Sequence, residues 1–353
     1  MRRISLIRSL ARSHGLVLVG PQDLVLSRRR AGTGFSFRDA DGRPIRDSDT
    51  VRRLRALAVP PAYEKVRFAA DPQAHLQAVG EDAAGRLQYR YHPAWTQVRE
   101  ALKARRLNAL AQALPTIRRA IGRHLGAGGE GRDFTYAAVL ELVALTAIRA
   151  GSESYAREHG TRGATTLLKS HVKIVEGRVT LRFTAKGGKK VVKEICNPRF
   201  VIVMRALLAL PGRRLFQYRG EDGALHPVRA GEVNAFLKRI AGCPLSLKDF
   251  RTLVASVSAL ELLAAAAPAG SVRARRSQVV KAVASVAETL ANTPSVCRTS
   301  YVHAAVVTAF EEGALRGFAD ELKGTRSPAA RAEILARIVG RYAAPNRTKD
   351  LRS

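Results

Sequence analysis

Cysteine is scarce in this chain of 353 residues: Cys196, Cys243 and Cys297 stand far apart and odd in number. That excludes a disulfide framework and any Cys-x-x-Cys metal or redox motif, and it suits a reducing compartment. No two histidines have the helical spacing of metal ligands. No Gly-x-x-x-x-Gly-Lys-Ser/Thr loop appears, so nothing marks nucleotide hydrolysis. No acidic cluster suggests the two-metal site of a nuclease or polymerase. No apolar run approaches the ~18 residues that span a membrane. The largest deficit is in acids: 29 Asp+Glu face 60 Lys+Arg, a net charge of +31. An enzyme acting on a small molecule has no use for such an excess. It predicts a polyanionic partner, nucleic acid before an anionic membrane surface.

What is present suffices for a folded protein. Hydrophobic residues make up 46% of the chain, and its length favours two domains. Residues 1–94 read as a small, mainly β domain. Leu16 to Val19 is a short apolar run ended by Gly20-Pro21. Phe35-Ser36-Phe37 alternates and meets the turn Asp39-Ala40-Asp41-Gly42. Those aspartates lack the spacing of a calcium loop. Ser48-Asp49-Thr50 caps a short helix over Val51 to Leu57, and Val66 to Ala69 and Leu87 to Tyr91 read as strands.

Residues 95–353 read as mainly helical. Expected helices cover Trp95 to Ala111, Thr116 to Leu125, Phe134 to Ala150, and then 199–209, 230–241, 246–265, 271–291, 294–312 and 328–342. One strand-rich island interrupts them over 165–195, with turns at Glu176-Gly177 and at Lys186-Gly187-Gly188-Lys189. The fold class is therefore α+β: a strand-rich N-terminal domain and a larger, mainly helical one carrying a three-stranded antiparallel sheet. Charge lies on both sides of the boundary. There are 17 Lys+Arg against 9 Asp+Glu up to residue 93, and 43 against 20 beyond it. Two lobes facing one duplex would give this balance; a single basic tail would not. The acid-free start, Met1-Arg2-Arg3-Ile4-Ser5-Leu6-Ile7-Arg8, reads as a basic arm of a cytoplasmic, nucleoid-associated protein rather than a transit peptide.

With no metal site, a DNA-cutting protein must use its own side chain as nucleophile. Tyr301 is the candidate. Thr293-Pro294 reads as a helix start, which places Tyr301 about two turns in, with the amide of Asn292 just before the start. A tyrosine on a helix is ordinarily a core residue, so cations must decide. Arg149 closes an apolar helix, where the helix dipole alone could hold it. Lys186 sits in a Gly-rich turn, ordinarily a solvated place. Arg251 opens a long apolar helix within Lys248-Asp249-Phe250-Arg251-Thr252, where an ion pair is the plain reading. Tyr89 and Tyr91 share one face of a strand: either a half-buried pair or hydroxyls that donate to phosphate oxygens.

Each signal is weak alone. In order, they carry Arg149-x-Gly151-x-x-x-Tyr155, Phe183-x-x-Lys186, Lys248-Asp249-x-Arg251-Thr252, and Asn292-Thr293-Pro294-Ser295 ahead of Tyr301. Val59-Pro60-Pro61 and Gly85-Arg86-Leu87-Gln88-Tyr89-Arg90-Tyr91-His92 add to them. Through these motifs the chain resembles the type IB DNA topoisomerases of the small bacterial and viral branch. The resemblance implies that Tyr301 attacks a DNA phosphodiester to give a 3′-phosphotyrosine. It implies that Arg149, Arg251 and Asn292 stabilise the transition state and that Lys186 protonates the leaving 5′ oxygen. It implies DNA-backbone contacts from Gln88, Tyr89, Tyr91, Tyr155 and Lys248, with an N-terminal domain that closes over double-stranded DNA. It also implies a monomer that needs no ATP, metal or other cofactor. Asn292 stands where many members have histidine; an amide still donates to phosphate but cannot become a cation. Two rivals remain at this stage: a tyrosine recombinase, which shares the residue set, and a basic DNA-coating protein without catalysis.

Overall fold

The computed structural model describes residues 2–342. They form two compact units, divided between Leu102 and Lys103. The basic start of the chain is helical: α1 covers Arg2–Ser13. The antiparallel strands β1 (Leu26–Ala31) and β2 (Gly34–Arg38) follow, and only β2 alternates in composition. Helix α2 (Ser48–Ala56) starts three residues earlier than the sequence suggests, because the Asp47 carboxylate, not a residue of Ser48-Asp49-Thr50, accepts from Thr50 N. Strands β3 (Glu64–Phe68), β4 (Leu76–Glu81) and β5 (Leu87–Tyr91) complete a sheet of order β2-β1-β3-β4-β5. β1 and β4 escape the sequence reading. β1 carries three consecutive arginines, and β4 is buried along most of its length, so neither alternates in composition. Leu26, Phe37, Val66, Phe68 and Ala78 pack with Leu54 of α2 on one core. The Tyr89–Tyr91 face of β5 stays open.

Helix α3 (Trp95–Gly126) is continuous through Pro115, where the sequence suggested two helices. An internal proline costs about 3 kcal/mol. Here Leu110, Ala111, Leu114 and Ile117, on both sides of it, are buried in one core that offsets the cost. The first turns of α3, with Trp95, Val98 and Leu102, pack with Leu10 and Ala11 of α1. Helix α4 (Arg132–Thr146) is mostly buried but shorter than expected. Thr146 Oγ1 donates to Leu142 O, and Ala147 turns left-handed at φ 52. Arg149 therefore lies beyond the helix, on the segment leading to α5 (Glu153–His159).

Strands β6 (Val172–Val175), β7 (Arg178–Ala185) and β8 (Lys189–Ile195) form the expected antiparallel sheet, with Ala185 opposite Lys189 across the hairpin. Next come α6 (Pro198–Ala209), the short hairpin β9 (Gln217–Arg219) and β10 (Leu225–Pro227), and α7 (Ala230–Ala241). Helix α8 (Leu247–Ala264) begins on a capping box of Ser246 and Asp249 and is largely buried. It packs against α4 and, among the helices that follow, against α9 (Val272–Thr289), α11 (Ala304–Glu311), α12 (Arg316–Gly324) and α13 (Pro328–Tyr342). Helix α10 (Pro294–Ser300) packs on α9. The single helix expected over 294–312 is thus two, α10 and α11, because His303 caps the second by accepting from Ala305 N.

Candidate active site

The centre of the second unit is the C-terminus of α9. The last carbonyls of a helix have no partner within it, and they carry the negative end of the dipole. Here the chain closes in a Schellman turn. Asn292 N donates to Ala287 O at 2.8 Å and Ala291 N to Glu288 O at 3.0 Å, with Ala291 at φ 50. The turn leaves four successive carbonyls pointing outward, and each takes one cation. Lys193 Nζ donates to Thr289 O at 2.6 Å and Arg251 Nη2 to Leu290 O at 3.1 Å. Arg149 Nη1 donates to Ala291 O at 3.4 Å and Lys189 Nζ to Asn292 O at 2.6 Å. Residues from the α4–α5 loop, β8 and α8 thereby converge on one turn of backbone.

Arg251 is 3% exposed. Its other terminal nitrogen donates to Ala147 O, at the left-handed end of α4. One guanidinium thus staples the C-termini of two helices. Its Nε is buried without an acceptor. Arg149 is held in two ways. Its Nη2 donates to Asn292 Oδ1, which leaves the buried Asn292 Nδ2 as a second donor without a partner. Its backbone is pinned to the 163–166 segment by Ala164 N to Arg149 O at 2.7 Å and Thr165 N to Ala150 O at 2.8 Å. The approach is so close that a Cβ on Gly163 would lie 2.5 Å from Arg149 O. Gly151, at φ +98, has no room for a side chain either. This close packing is the physical content of the Arg149-x-Gly151 motif.

Tyr301 is the C-cap residue of α10, at its end rather than within it. The cap of Thr293 and the first-turn Pro294 are as the sequence indicates. Its carbonyl accepts from Ser256 Oγ at 3.0 Å, and that hydroxyl accepts from His303 N at 3.1 Å, so α8 fixes the backbone of the tyrosine. The side chain is 8% exposed. Arg251 lies 4.9 Å from the ring centroid and Lys248 Nζ 6.0 Å. Burial opposes ionisation of this phenol, but the charge of Arg251, a hydrogen bond from it, and the charges of Arg149 and Lys248 outweigh burial and hold the phenol below the usual tyrosine value.

One open cleft of about 290 Å³ is lined by Arg149, Tyr155, Lys186, Lys248, Arg251 and Tyr301, together with Arg162 and the Ala150–Ser152 backbone. Lys186 is exposed at the β7–β8 turn, beside Gly187 and Gly188 at φ 80 and 73, with Nζ 4.5 Å from the centroid of the Tyr155 ring. Asn292 stands behind the cleft and reaches it through Arg149. Gln88, Tyr89 and Tyr91 belong to the first unit. Gln88 donates to Asp82 Oδ2 at 2.9 Å. The two tyrosines are 41% and 43% exposed and stacked with centroids 6.2 Å apart, so they are a half-buried pair whose outer faces remain open to solvent.

Three supporting residues have no counterpart in the sequence reading. Arg106 grips Asp249 through Nε at 2.7 Å and Nη2 at 2.6 Å and so anchors the first turn of α8, which carries Lys248 and Arg251. Lys189 and Lys193 share the inward face of β8 with buried Val191 and Ile195. Lysine in a buried register is a signal that alternation could have shown. Among the described residues, no group of His, Cys, Asp and Glu stands close enough to hold a metal, and no helix is long and apolar enough to cross a membrane.

Residues 93–324 match the family model of the eukaryotic DNA topoisomerase I catalytic core. Residues 34–82 match that of the bacterial DNA topoisomerase IB N-terminal domain. The chain is 30% identical over 282 residues to DNA topoisomerase 1B of Acanthamoeba polyphaga mimivirus, covering 78% of this chain and 84% of the relative.

Proposed function

The chain belongs to the type IB DNA topoisomerase family, and from that premise we propose how its own residues carry out the reaction. The protein relaxes supercoiled duplex DNA by cutting one strand, letting it rotate and resealing it. The Tyr301 phenol releases its proton to solvent, its oxygen attacks the phosphorus, the O–P bond forms, and the bond to the 5′ oxygen breaks. The products are a 3′-phosphotyrosine and a free 5′-hydroxyl. The five-coordinate transition state gathers negative charge on its non-bridging oxygens. Arg149 and Arg251 meet that charge, and the amide of Asn292 adds a neutral donor. The two buried donors without acceptors, Arg251 Nε and Asn292 Nδ2, support this reading. In a resting protein an unpaired buried donor costs about 1–3 kcal/mol, and an incoming phosphate oxygen would relieve it.

The 5′ oxygen would leave as a strongly basic alkoxide, so it needs a proton, and Lys186 at the cleft mouth supplies it. Such donation contributes about 10² to 10⁴ in rate. One phosphodiester is exchanged for another of similar energy, so the cycle runs without ATP, and side-chain cations replace a metal. Tyr155 and Lys248 contact the DNA backbone beside the cleft. Gln88, Tyr89 and Tyr91 do so from the N-terminal unit, which acts as a clamp. One chain supplies every reacting group, which fits a monomer working on the DNA of a nucleoid.

The observation that carries this reading is the phenol held below its usual ionisation range by three cations in one cleft. The test is Tyr301→Phe against supercoiled plasmid in EDTA. Wild type relaxes the plasmid, and the variant binds DNA but leaves its topology unchanged. A variant that still relaxes plasmid would overturn the assignment. A wild type that needs two specific sites and a tetramer would restore the recombinase reading.

A further inference from the structure

We infer that Lys189 and Lys193 are positioning residues that place Lys186 over the leaving oxygen. This rests on the reading of Lys186 as the acid. Lys186 is exposed, its neighbours Gly187 and Gly188 both adopt positive φ, and beyond the adjoining residues nothing lies within 4 Å of where either would carry a Cβ, so the turn is held only through its strands. Where its tip points is decided by what its strands hold. On the β7 side Ala185 is buried. On the β8 side Lys189 closes the turn opposite Ala185 and donates to Asn292 O at 2.6 Å. Four residues on, from the same face, Lys193 donates to Thr289 O at 2.6 Å. Burial, with the like charge of Arg251 behind it, lowers the Lys193 pKa, so its carbonyl partner is held against a real desolvation cost.

Both acceptors belong to the same backbone turn that receives Arg149 and Arg251. The arginines spend donors there that phosphate would claim. The two lysines, Lys189 and Lys193, do not line the cleft that holds Tyr301. Their bonds tie the acid-bearing hairpin to the turn that leads into α10 and Tyr301. The segment on the other side of the tether does not depend on it. Asn292 keeps its own bond to Ala287 O, and Thr293 still caps α10. Loss of a tether therefore frees the hairpin more than it frees the tyrosine. A misplacement of ~1 Å costs about 10²-fold in rate.

The experiment is single-turnover cleavage of two suicide duplexes that differ in one atom. One has the natural bridging 5′ oxygen and the other a bridging 5′ sulfur. With sulfur, the O–P bond to tyrosine forms as the P–S bond breaks, and the electron pair leaves on a thiolate. A thiol has a pKa of about 8.5, so that group departs without a proton and has no need of an acid. Lys189→Met and Lys193→Met are expected to slow cleavage of the oxygen duplex by about 10²-fold and to cleave the sulfur duplex at the wild-type rate. Lys189→Arg restores cleavage of the oxygen duplex. Equal losses on both duplexes, or no loss on either, would overturn the inference. Lys186→Met is the internal reference: if sulfur fails to rescue it, the acid assignment itself falls. If sulfur rescues Lys186→Met but not the two tether variants, only the positioning role falls.

Discussion

Replacing Arg251 by lysine keeps the charge and removes the fork. Arg251 serves two helix ends at once, Ala147 O of α4 and Leu290 O of α9, and its Nε remains for a phosphate oxygen. A lysine ammonium is a single point on a flexible stem and cannot donate to both carbonyls from the same place. One buried carbonyl loses its partner, at a cost of about 1–3 kcal/mol. For a unit of this size each kcal/mol lowers Tm by about 2–4 °C. The transition state loses one aimed donor, which costs about 10² to 10³ in the cleavage step. A positive charge still stands beside Tyr301, but the hydrogen bond from the Arg251 fork that also lowers the phenol goes with it, so a pH–rate profile of the variant separates altered ionisation from the lost donor. Thermal unfolding followed by circular dichroism reads the first effect, and single-turnover formation of the covalent adduct reads the second. A variant that unfolds at a lower temperature yet cleaves at the wild-type rate would reduce Arg251 to a staple. A variant unchanged in both would refute the geometry.

Lys248→Met removes one of the charges that oppose burial at Tyr301, so the phenol pKa rises; the rising limb of the cleavage pH–rate profile moves to higher pH, and an unmoved limb would show that Lys248 does not act on the phenol. Asp249→Asn leaves the Arg106 guanidinium without its counter-charge. Broken buried pairs cost about 3–5 kcal/mol, and the low end is expected in urea unfolding because the Arg106 side chain keeps 30% of its surface exposed. Ala291→Gly relieves a left-handed alanine that costs about 1–2 kcal/mol, less about 0.5–1 kcal/mol for the added freedom of the unfolded chain. Urea unfolding should therefore show a net gain with the Schellman turn preserved.

The local structure around the candidate site is legible in the sequence where short motifs have local structural reasons. Thr293-Pro294 is a cap and a first-turn proline in the structure as in the sequence. The Lys186-Gly187-Gly188-Lys189 turn does join two strands. Periodicity also located α7 and α13 to the residue. It failed where backbone chemistry overrides pattern. The apolar run of α4 continues past Thr146, but a left-handed Ala147 ends the helix and turns Arg149 into a loop. The run from Pro294 to Glu312 looks continuous, yet the cap of His303 divides it and leaves Tyr301 at the break. Pro115 suggested an end that packing on both sides of it prevented. The convergence of four cations on one helix end is illegible for a different reason. Lys189 and Lys193 stand out in the alternation of β8, but the acceptors are backbone carbonyls, which every residue has, so no side-chain pattern announces where the cations meet.

The central claim is that the Tyr301 oxygen itself becomes bonded to the 3′ phosphate. Wild-type protein is incubated with a suicide duplex in EDTA and denatured. The adduct is then digested and its peptides sequenced by mass spectrometry. The account predicts a nucleotide-bearing peptide modified at Tyr301, joined to the 3′ side of the break, with a 5′-hydroxyl on the released strand. An adduct on another residue, a 5′ linkage, or no covalent adduct at all would contradict it.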